Sequence, residues 1–336
     1  MRFGPCPLPD ALGAILAHGT RTLQGRIAKG TLLDADALAA LRAAGHREII
    51  VARPDAQDVI EDAAALQIAT ALSHPSLRLQ EVGTGRVNLH AVQAGLFCCD
   101  PAPVTALNSV DEAITLATLP PYTRIQAGDM VATVKIIPFA VPQVMIDQAI
   151  VAATSASAPL FQVHPFQSLR CAIVQTDLPT LKPSVAEKTV ARTQARIAAL
   201  GGTCHDAGRV AHDANALAAA LSALEVDLIV VFGASAMCDG ADVIPAAIRA
   251  AGGQVARVGM PVDPGNLLVL GQIGARHVVG APGCARSPKE NGFDWVLARL
   301  FAGLTVRNAD IAAMGVGGLL TEIPSRPRPR GVQGSG

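Results

Sequence analysis

The residues of this chain that are best suited to chemistry begin with a loop of small side chains in its C-terminal half. The loop covers residues 233–242 and follows the apolar segment 227–232, whose composition is typical of a strand buried on both faces. Small residues at the end of a parallel strand let backbone N–H groups approach an anion, so the loop predicts a site for a phosphate-bearing ligand. A tight turn that ends with Asp242 as a helix N-cap explains the same residues without a ligand.

A second candidate is the loop of residues 259–266, which contains the run Asp263-Pro264-Gly265-Asn266. Proline fixes φ, and Gly and Asn accept positive φ, so the composition predicts a turn whether or not a ligand binds. The carboxylate of Asp263 is the kind of oxygen ligand that Mg²⁺ prefers, and it is also able to orient a polar ligand.

A third loop, residues 280–291, places Arg286, Ser287 and Lys289 within four positions of one another. Arginine offers a planar fork to an oxyanion and lysine offers a point charge, so the loop predicts a cradle for phosphate or molybdate. A solvated charged turn is the alternative. Cys284 has no histidine near it in the sequence to activate it as a nucleophile.

The elements around these loops predict an α/β domain. After residue 168, strand-like and helix-like segments alternate, which indicates a parallel sheet with crossover helices. Ser184 begins a capping box that predicts a helix as far as Leu200, and Pro245 belongs in the first turn of a helix capped near Asp242. We predict a three-layer αβα domain with a mostly parallel sheet over residues 168–304.

The N-terminal region, residues 1–160, is predicted to be mixed α+β. Helices are expected at 34–45 and 55–72, and short β-prone runs separated by turn residues follow between 77 and 137. Residues 154–168 are the predicted linker. Residues 305–336 are predicted to be a C-terminal extension and a flexible linker, because the Pro- and Arg-rich end has no core pattern.

Charge and composition limit the classes of partner. The chain has 336 residues, and its 27 basic residues balance 27 acidic ones, so no overall field favours nucleic acid or an acidic membrane. No apolar run reaches the roughly 18–20 residues of a membrane-spanning helix. Seven cysteines without a CxxC spacing fit a reducing cytoplasm better than a disulfide framework or a zinc site.

At its three loops the sequence resembles the molybdenum cofactor biosynthesis family, whose domain occurs in molybdopterin adenylyltransferases and molybdopterin molybdotransferases. Residues 233–242 resemble the family's Gly-Gly-x-Ser loop, 260–268 its Lys-Pro-Gly-Lys-Pro segment, and 281–287 its Pro-Gly-Asn-Pro loop. Segments 16–20 and 29–45 resemble the molybdotransferase N-terminal segment. Ala234, Asn266 and Cys284 replace a Gly, a Lys and an Asn of these motifs, so the chain is similar to a divergent molybdotransferase.

The resemblance implies a molybdopterin-binding fold and a pterin site. Its ligand would be molybdopterin or adenylyl-molybdopterin, with molybdate and Mg²⁺. Asp242 would be the catalytic carboxylate, and Asp242 and Asp263 would bind the metal. The remaining contacts to the ligand would come from Gly233, Ala234, Ser235, Asp263, Asn266, Pro282, Gly283, Arg286, Ser287 and Lys289.

Two functions follow from the resemblance. The first is a transferase that inserts molybdate into molybdopterin or its adenylylated form, with Mg²⁺-assisted loss of the adenylyl group. The second is a carrier that binds molybdopterin without catalysis and delivers it to a molybdenum enzyme, which the three replaced motif residues favour. A nucleotide-dependent oxidoreductase is a distant third, because the chain lacks a GxGxxG fingerprint. The expected partners are a molybdenum enzyme or a nucleotidyltransferase, in a cytoplasmic protein that can form a homo-oligomer.

Overall fold

The structure is a computed structural model, and it describes residues 1–156, 158–178 and 183–320. The chain divides into two compact units, the first from Met1 to Pro165 and the second from Phe166 onward. This division falls inside the segment 154–168, which was predicted to be a linker. Among the described residues, no helix is both long and apolar enough to cross a membrane.

Unit 1 is a mixed α+β structure built from short antiparallel sheets, as its alternating short runs predicted. Its strands are β1 Arg2–Pro7, β2 Ile15–Leu16, β3 Thr20–Thr22, β4 Gly25–Ile27, β5 Glu48–Arg53, β6 Asp58–Ile60, β7 Leu77–Glu81, β8 Arg86–Ala91, β9 Gly95–Cys99, β10 Ile114–Thr118, β11 Thr123–Ile125, β12 Met130–Ile136, β13 Ala140–Pro142 and β14 Phe161–His164. Its helices are α1 Ala35–Ala43, α2 Glu61–Ala71, α3 Pro101–Asn108 and α4 Gln143–Thr154.

The largest sheet of unit 1 has the order β10-β12-β8-β7, and α2 packs on it. Helix α2 buries Ala64, Ala65 and Ile68, whose small or branched side chains let it lie close to the strands. The helix begins at Glu61 rather than at residue 55, because 58–60 pair with β13 instead. The predicted linker likewise contains a strand, β14, which pairs with β9 and buries Phe161.

Unit 2 has one six-stranded sheet with helices on both faces. Its strands are β15 Arg170–Asp177, β16 Thr203–Ala211, β17 Leu228–Phe232, β18 Gln254–Val258, β19 Val269–Ile273 and β20 Arg276–Ala281. Its helices are α5 Pro183–Ala199, α6 Ala214–Ala223, α7 Val243–Ala250, α8 Gly292–Phe301 and α9 Asn308–Ala312.

The strand order is β16-β15-β17-β20-β19-β18, and the first four of these strands are parallel to one another. Strands β19 and β18 add an antiparallel edge. Successive residues of the central strands point to opposite faces: Ile173 packs in the core that includes α5 and α8, and Val174 in the core that includes α6 and α7. The predicted three-layer αβα domain with a mostly parallel sheet is therefore confirmed.

Local signals in the sequence account for several helix boundaries in unit 2. Asp242 caps α7, and Pro245 lies in its first turn. Asn291 and Asp294 form a capping box at α8. Helix α5 begins at Pro183, one residue before the predicted capping Ser184, and residues 179–182 lie outside the described part of the chain.

The predicted C-terminal linker differs from the structure at its start. Val306, Ile311 and Met314 are buried in the core formed with α8, so the ordered part of unit 2 continues beyond residue 304. The isolated bridge between Asp263 and Leu319 also joins this segment to the sheet domain. Residues 321–336, which are half of the predicted extension and linker, lie outside the described residues.

Candidate functional site

A cleft of about 330 Å³ opens beyond the carboxyl ends of the central parallel strands of unit 2. This is the edge of an open α/β sheet at which ligands usually bind. Three separate stretches supply almost all of its wall, one after β17, one before β19 and one after β20. The lining residues are 233–237, 244, 265–267, 281–284 and 286.

The loop after β17 turns tightly because its first residue is glycine. A Cβ on Gly233 would lie 2.9 Å from the carbonyl oxygen of Ser235, so a larger residue would force the loop to shift. The far end of the loop is held by Asp242, whose carboxylate oxygens accept hydrogen bonds from the N–H groups of Val243 at 2.7 Å and Cys238 at 3.0 Å. Asp242 therefore shapes the loop as an N-cap.

The turn before β19 is held against the start of α8. The N–H of Gly292 donates to the carbonyl of Pro264 at 3.0 Å, and Gly265 has a φ of +144°. A Cβ on Gly265 would lie 2.8 Å from the nitrogen of Gly292, so only glycine fits this close approach. The tight turn leaves the exposed Asn266 in the cleft wall.

Arg286 is the cation of the cleft. Its guanidinium donates to the hydroxyl of Thr189 at 2.7 Å and to the carbonyl of Gly233 at 3.1 Å, and it lies 5.1 Å from the ring centroid of Phe232. Burial lowers the pKa of Arg286 below its ordinary value, although an arginine remains charged in a protein. Among the described residues, none supplies a carboxylate to pair with it within salt-bridge distance.

The loop that carries Arg286 is fixed from α5. Arg196 donates to the carbonyls of Ala285 at 2.7 Å and Lys289 at 3.2 Å and to that of Ser287, and its Nε donates to Asp294 at 2.7 Å. This ion pair is largely buried, with side-chain exposures of 11 % and 8 %. Arg196 therefore neutralises Asp294 and holds the loop in place.

A chain of three hydrogen-bonded side chains, which was not predicted from the sequence, reaches the same cleft. The hydroxyl of Thr176, at the end of β15, lies 2.8 Å from Nδ1 of His212, which follows β16. Nε2 of the same ring lies 3.1 Å from Oγ of Ser235. The order β16-β15-β17 brings these strand ends together, so the signal in the sequence is a polar residue at each of three neighbouring strand ends.

The structure brings seven of the predicted site residues into the cleft wall and leaves four outside it. The seven are Gly233, Ala234, Ser235, Asn266, Pro282, Gly283 and Arg286. Asp242, Asp263, Ser287 and Lys289 are not part of the lining. Lys289 is exposed, and the backbone of Asp263 pairs with residues 318–320.

Magnesium was predicted at Asp242 and Asp263, two carboxylates that lie outside the cleft lining. Within the part of the chain that the structure describes, no group of three or more His, Cys, Asp or Glu side chains is placed to hold a metal ion. The carboxylate of Asp242 is occupied by two backbone N–H groups. The residues present do not form a ready Mg²⁺ site, and bound Mg²⁺ stays a prediction.

Comparison with known proteins finds a weak structural likeness. No protein-family model matches the sequence, and no curated protein matches it. Among solved structures, the molybdopterin biosynthesis MoeA protein from Pyrococcus horikosii is similar to this chain at a TM-score of 0.32. The identity is 14 %, over 90 % of this chain and 75 % of that chain. A likeness of this size is too weak to assign the chain to a family or a function.

Proposed function

We propose that unit 2 binds a phosphate-bearing pterin of the molybdopterin type in the cleft beyond the carboxyl ends of β17 and β20. The observation that carries this proposal is Arg286, a half-buried guanidinium in the cleft wall with no carboxylate partner among the described residues. A cation that is partly removed from water is stabilised when an anion replaces the lost solvation. The cleft therefore selects a ligand with at least one negative oxygen.

The size of the cleft favours a small organic molecule. Its volume of about 330 Å³ lies at the lower end of the range for small-molecule sites, roughly 300–1,000 Å³. The wall combines apolar Met237 and Ile244 with the backbone of a glycine-containing loop. Such a surface suits a flat heterocycle that carries a phosphate.

The choice of a molybdopterin rests on the three sequence motifs. The stretches that resemble the molybdenum cofactor biosynthesis family lie far apart in the sequence, at 233–242, 260–268 and 281–287. Each of them contributes residues to this one cleft. A shared position in space is expected if the three resemblances reflect one ligand.

Binding without catalysis is the form of this function that the geometry favours. The carboxylate of Asp242, the predicted catalytic group, accepts two backbone hydrogen bonds and is absent from the cleft wall. Molybdate insertion with loss of the adenylyl group is the second candidate. It would require Asp242 to exchange those bonds for a metal ion or the reacting oxyanion.

The experiment measures binding of molybdopterin and of adenylyl-molybdopterin to the full chain and to two loop variants. Arg286→Gln is expected to weaken binding by about 10- to 100-fold, because it removes a charge-assisted hydrogen bond to the ligand. Lys289→Gln is the matched control, since Lys289 is an exposed cation of the same loop outside the cleft. It should change the affinity by less than about three-fold.

The two forms of the function separate when molybdate and Mg²⁺ are added and AMP is measured. The carrier binds pterin and releases no AMP, whereas the transferase releases AMP and loses that activity in Asp242→Asn. Failure of the wild-type protein to bind either pterin would refute the proposed function. Equal losses in Arg286→Gln and Lys289→Gln would place the anion outside the cleft.

A further inference from the structure

The hydrogen-bonded chain of Thr176, His212 and Ser235 has its buried end in the sheet and its exposed end in the cleft. Thr176 is fully buried, with 0 % exposure, whereas Ser235 is exposed and belongs to the cleft wall. The three side chains follow one another at 2.8 Å and 3.1 Å. The N–H of Ala234 donates to the Thr176 hydroxyl at 2.8 Å and so links these three side chains to the loop after β17.

The burial of Thr176 determines which group is the donor and which the acceptor in each hydrogen bond of the chain. Its hydroxyl oxygen already accepts the N–H of Ala234, so its own proton needs an acceptor, and a buried hydroxyl proton without one is costly. Among the described residues, the only hydrogen-bond partner of this hydroxyl besides the N–H of Ala234 is Nδ1 of His212. Thr176 therefore donates to Nδ1.

This direction assigns the tautomer of the neutral imidazole. Because Nδ1 of His212 accepts a hydrogen bond, the ring carries its proton on Nε2. The N–H at Nε2 then donates to Oγ of Ser235, which satisfies an acceptor lone pair and leaves the Ser235 proton available. A histidine in this state offers Ser235 no lone pair, so it is not arranged as the base of a serine nucleophile.

We infer that His212 and Thr176 are positioning residues that hold the Ser235 hydroxyl as a hydrogen-bond donor to an oxyanion in the cleft. The ligand group is a tetrahedral oxyanion, and the inference rests on the proposed binding of a phosphate-bearing ligand beside Arg286. Consecutive hydrogen bonds polarise one another, so a donor at the end of such a chain is stronger than an isolated serine. Arg286 supplies the positive charge that attracts the oxyanion, and the hydroxyl of Ser235 fixes the orientation of the oxyanion.

The first test needs no ligand. In the wild-type protein labelled with ¹⁵N at histidine, the ring nitrogens of His212 are recorded at about pH 8, where a histidine is neutral unless strongly perturbed. His212→Gln identifies the signals by removing them. A protonated Nε2 with an unprotonated Nδ1 is expected, and a protonated Nδ1 would overturn the inference.

The second test measures the affinity for inorganic phosphate and for molybdate, which share the tetrahedral oxyanion. Ser235→Ala and Thr176→Val are each expected to weaken phosphate binding roughly ten-fold, the size of one lost hydrogen bond to a charged group. Thr176→Ser keeps the hydroxyl and should restore wild-type affinity. His205→Gln is the matched control, because His205 is exposed on β16 and outside the cleft.

The outcomes separate the inference from the proposed function. If the wild-type protein binds phosphate and Arg286→Gln weakens it, while Thr176→Val and Ser235→Ala bind as tightly as wild type, the inference is wrong and the proposed site stands. If neither anion binds to wild type, the proposed function fails at its first step. Should Thr176→Val not fold, Ser235→Ala together with the wild-type tautomer decides the question. A loss for molybdate alone would identify the metal oxyanion as the occupant of this position.

Discussion

Arg286 illustrates how its surroundings define the chemistry of one side chain. Two described contacts, to Thr189 and to the carbonyl of Gly233, use two of the five N–H groups of a guanidinium. The guanidinium carbon lies over the ring of Phe232, which stabilises the charge without neutralising it. The remaining N–H groups can still donate hydrogen bonds to an anion, so Arg286 is held in position and can bind a ligand.

A prediction at the scale of single residues concerns the reactivity of the cysteines of unit 2. Burial raises the pKa of Cys171 to about 12 and that of Cys204 to about 11. Cys238, by contrast, is exposed in the loop beside the cleft. Since the thiolate is the reactive form, a cysteine alkylating reagent at about pH 8 should modify Cys238 in the native protein and leave Cys171 intact.

Peptide mass spectrometry after brief alkylation measures this difference. Cys171 should become modified only when the protein is unfolded in denaturant before the reagent is added, which serves as the control. Modification of Cys171 as fast as Cys238 in the native protein would contradict the burial of β15 between its helices.

At the scale of elements, the sequence predicted those features that depend on neighbours along the chain. Helix α7 is an example, because a capping Asp242 and the early Pro245 act within one turn. The short strands β6 and β14 were not predicted, because each exists only through its pairing with a distant strand, β13 or β9. Short strands carry too few residues for a period of two to be visible.

The candidate site likewise contains residues that the sequence predicted and residues that it did not. The loop residues that follow a single strand, such as Gly233 and Arg286, were identified as candidates from their types alone. The chain from Thr176 through His212 to Ser235 was missed, because it depends on three strands being neighbours in the order β16-β15-β17. That order is not the order of the strands in the sequence, so no spacing along the chain reveals it.

The attachment of α5 to α8 provides an element-scale prediction. Replacing Arg196 by Gln leaves Asp294 as a buried charge and removes the donors that hold the 285–289 loop. Loss of one partner of a buried ion pair typically costs about 3–5 kcal/mol, so we expect the free energy of unfolding of unit 2 to fall by about 3 kcal/mol.

Urea denaturation followed by Trp295 fluorescence measures that free energy, because Trp295 is the single tryptophan of the chain and lies in α8. Arg192→Gln is the matched control. Arg192 is an exposed arginine of the same helix that donates to the carbonyl of Arg286, so its loss should cost under about 1 kcal/mol. Equal effects of the two substitutions would mean that the Arg196–Asp294 pair contributes nothing beyond a surface contact.

At the scale of the whole molecule, the zero net charge means that attraction of an anionic ligand depends on the cleft itself. With 27 basic and 27 acidic residues, the chain has no overall field to draw in an anion, so a ligand must be selected by contacts inside the site. The pH dependence of stability comes from groups whose pKa differs between the folded and the unfolded protein. One such group in unit 2 lies at the start of the interior strand β20.

That group is His277, at the start of β20, where burial lowers its pKa below the ordinary value of 6.5. Above about pH 6.5 the ring is neutral in the folded and the unfolded protein and does not affect their balance. Below it, the unfolded chain binds a proton that the folded chain resists, so the free energy of unfolding should decrease as the pH falls toward the folded pKa. Replacing His277 by Gln removes this contribution, and the variant should lose less stability than wild type between about pH 7 and 5.

The stability difference between wild type and His277→Gln, measured by urea denaturation with Trp295 as the probe, should therefore change with pH. At about pH 8 it reports only the lost packing and serves as the internal reference. As the pH is lowered, the difference should shift in favour of the variant, because only the wild-type unfolded state gains a proton at this position. Parallel curves for the two proteins would show that His277 takes up a proton as readily in the folded state as in the unfolded one, and its burial at the start of β20 would then not control its charge.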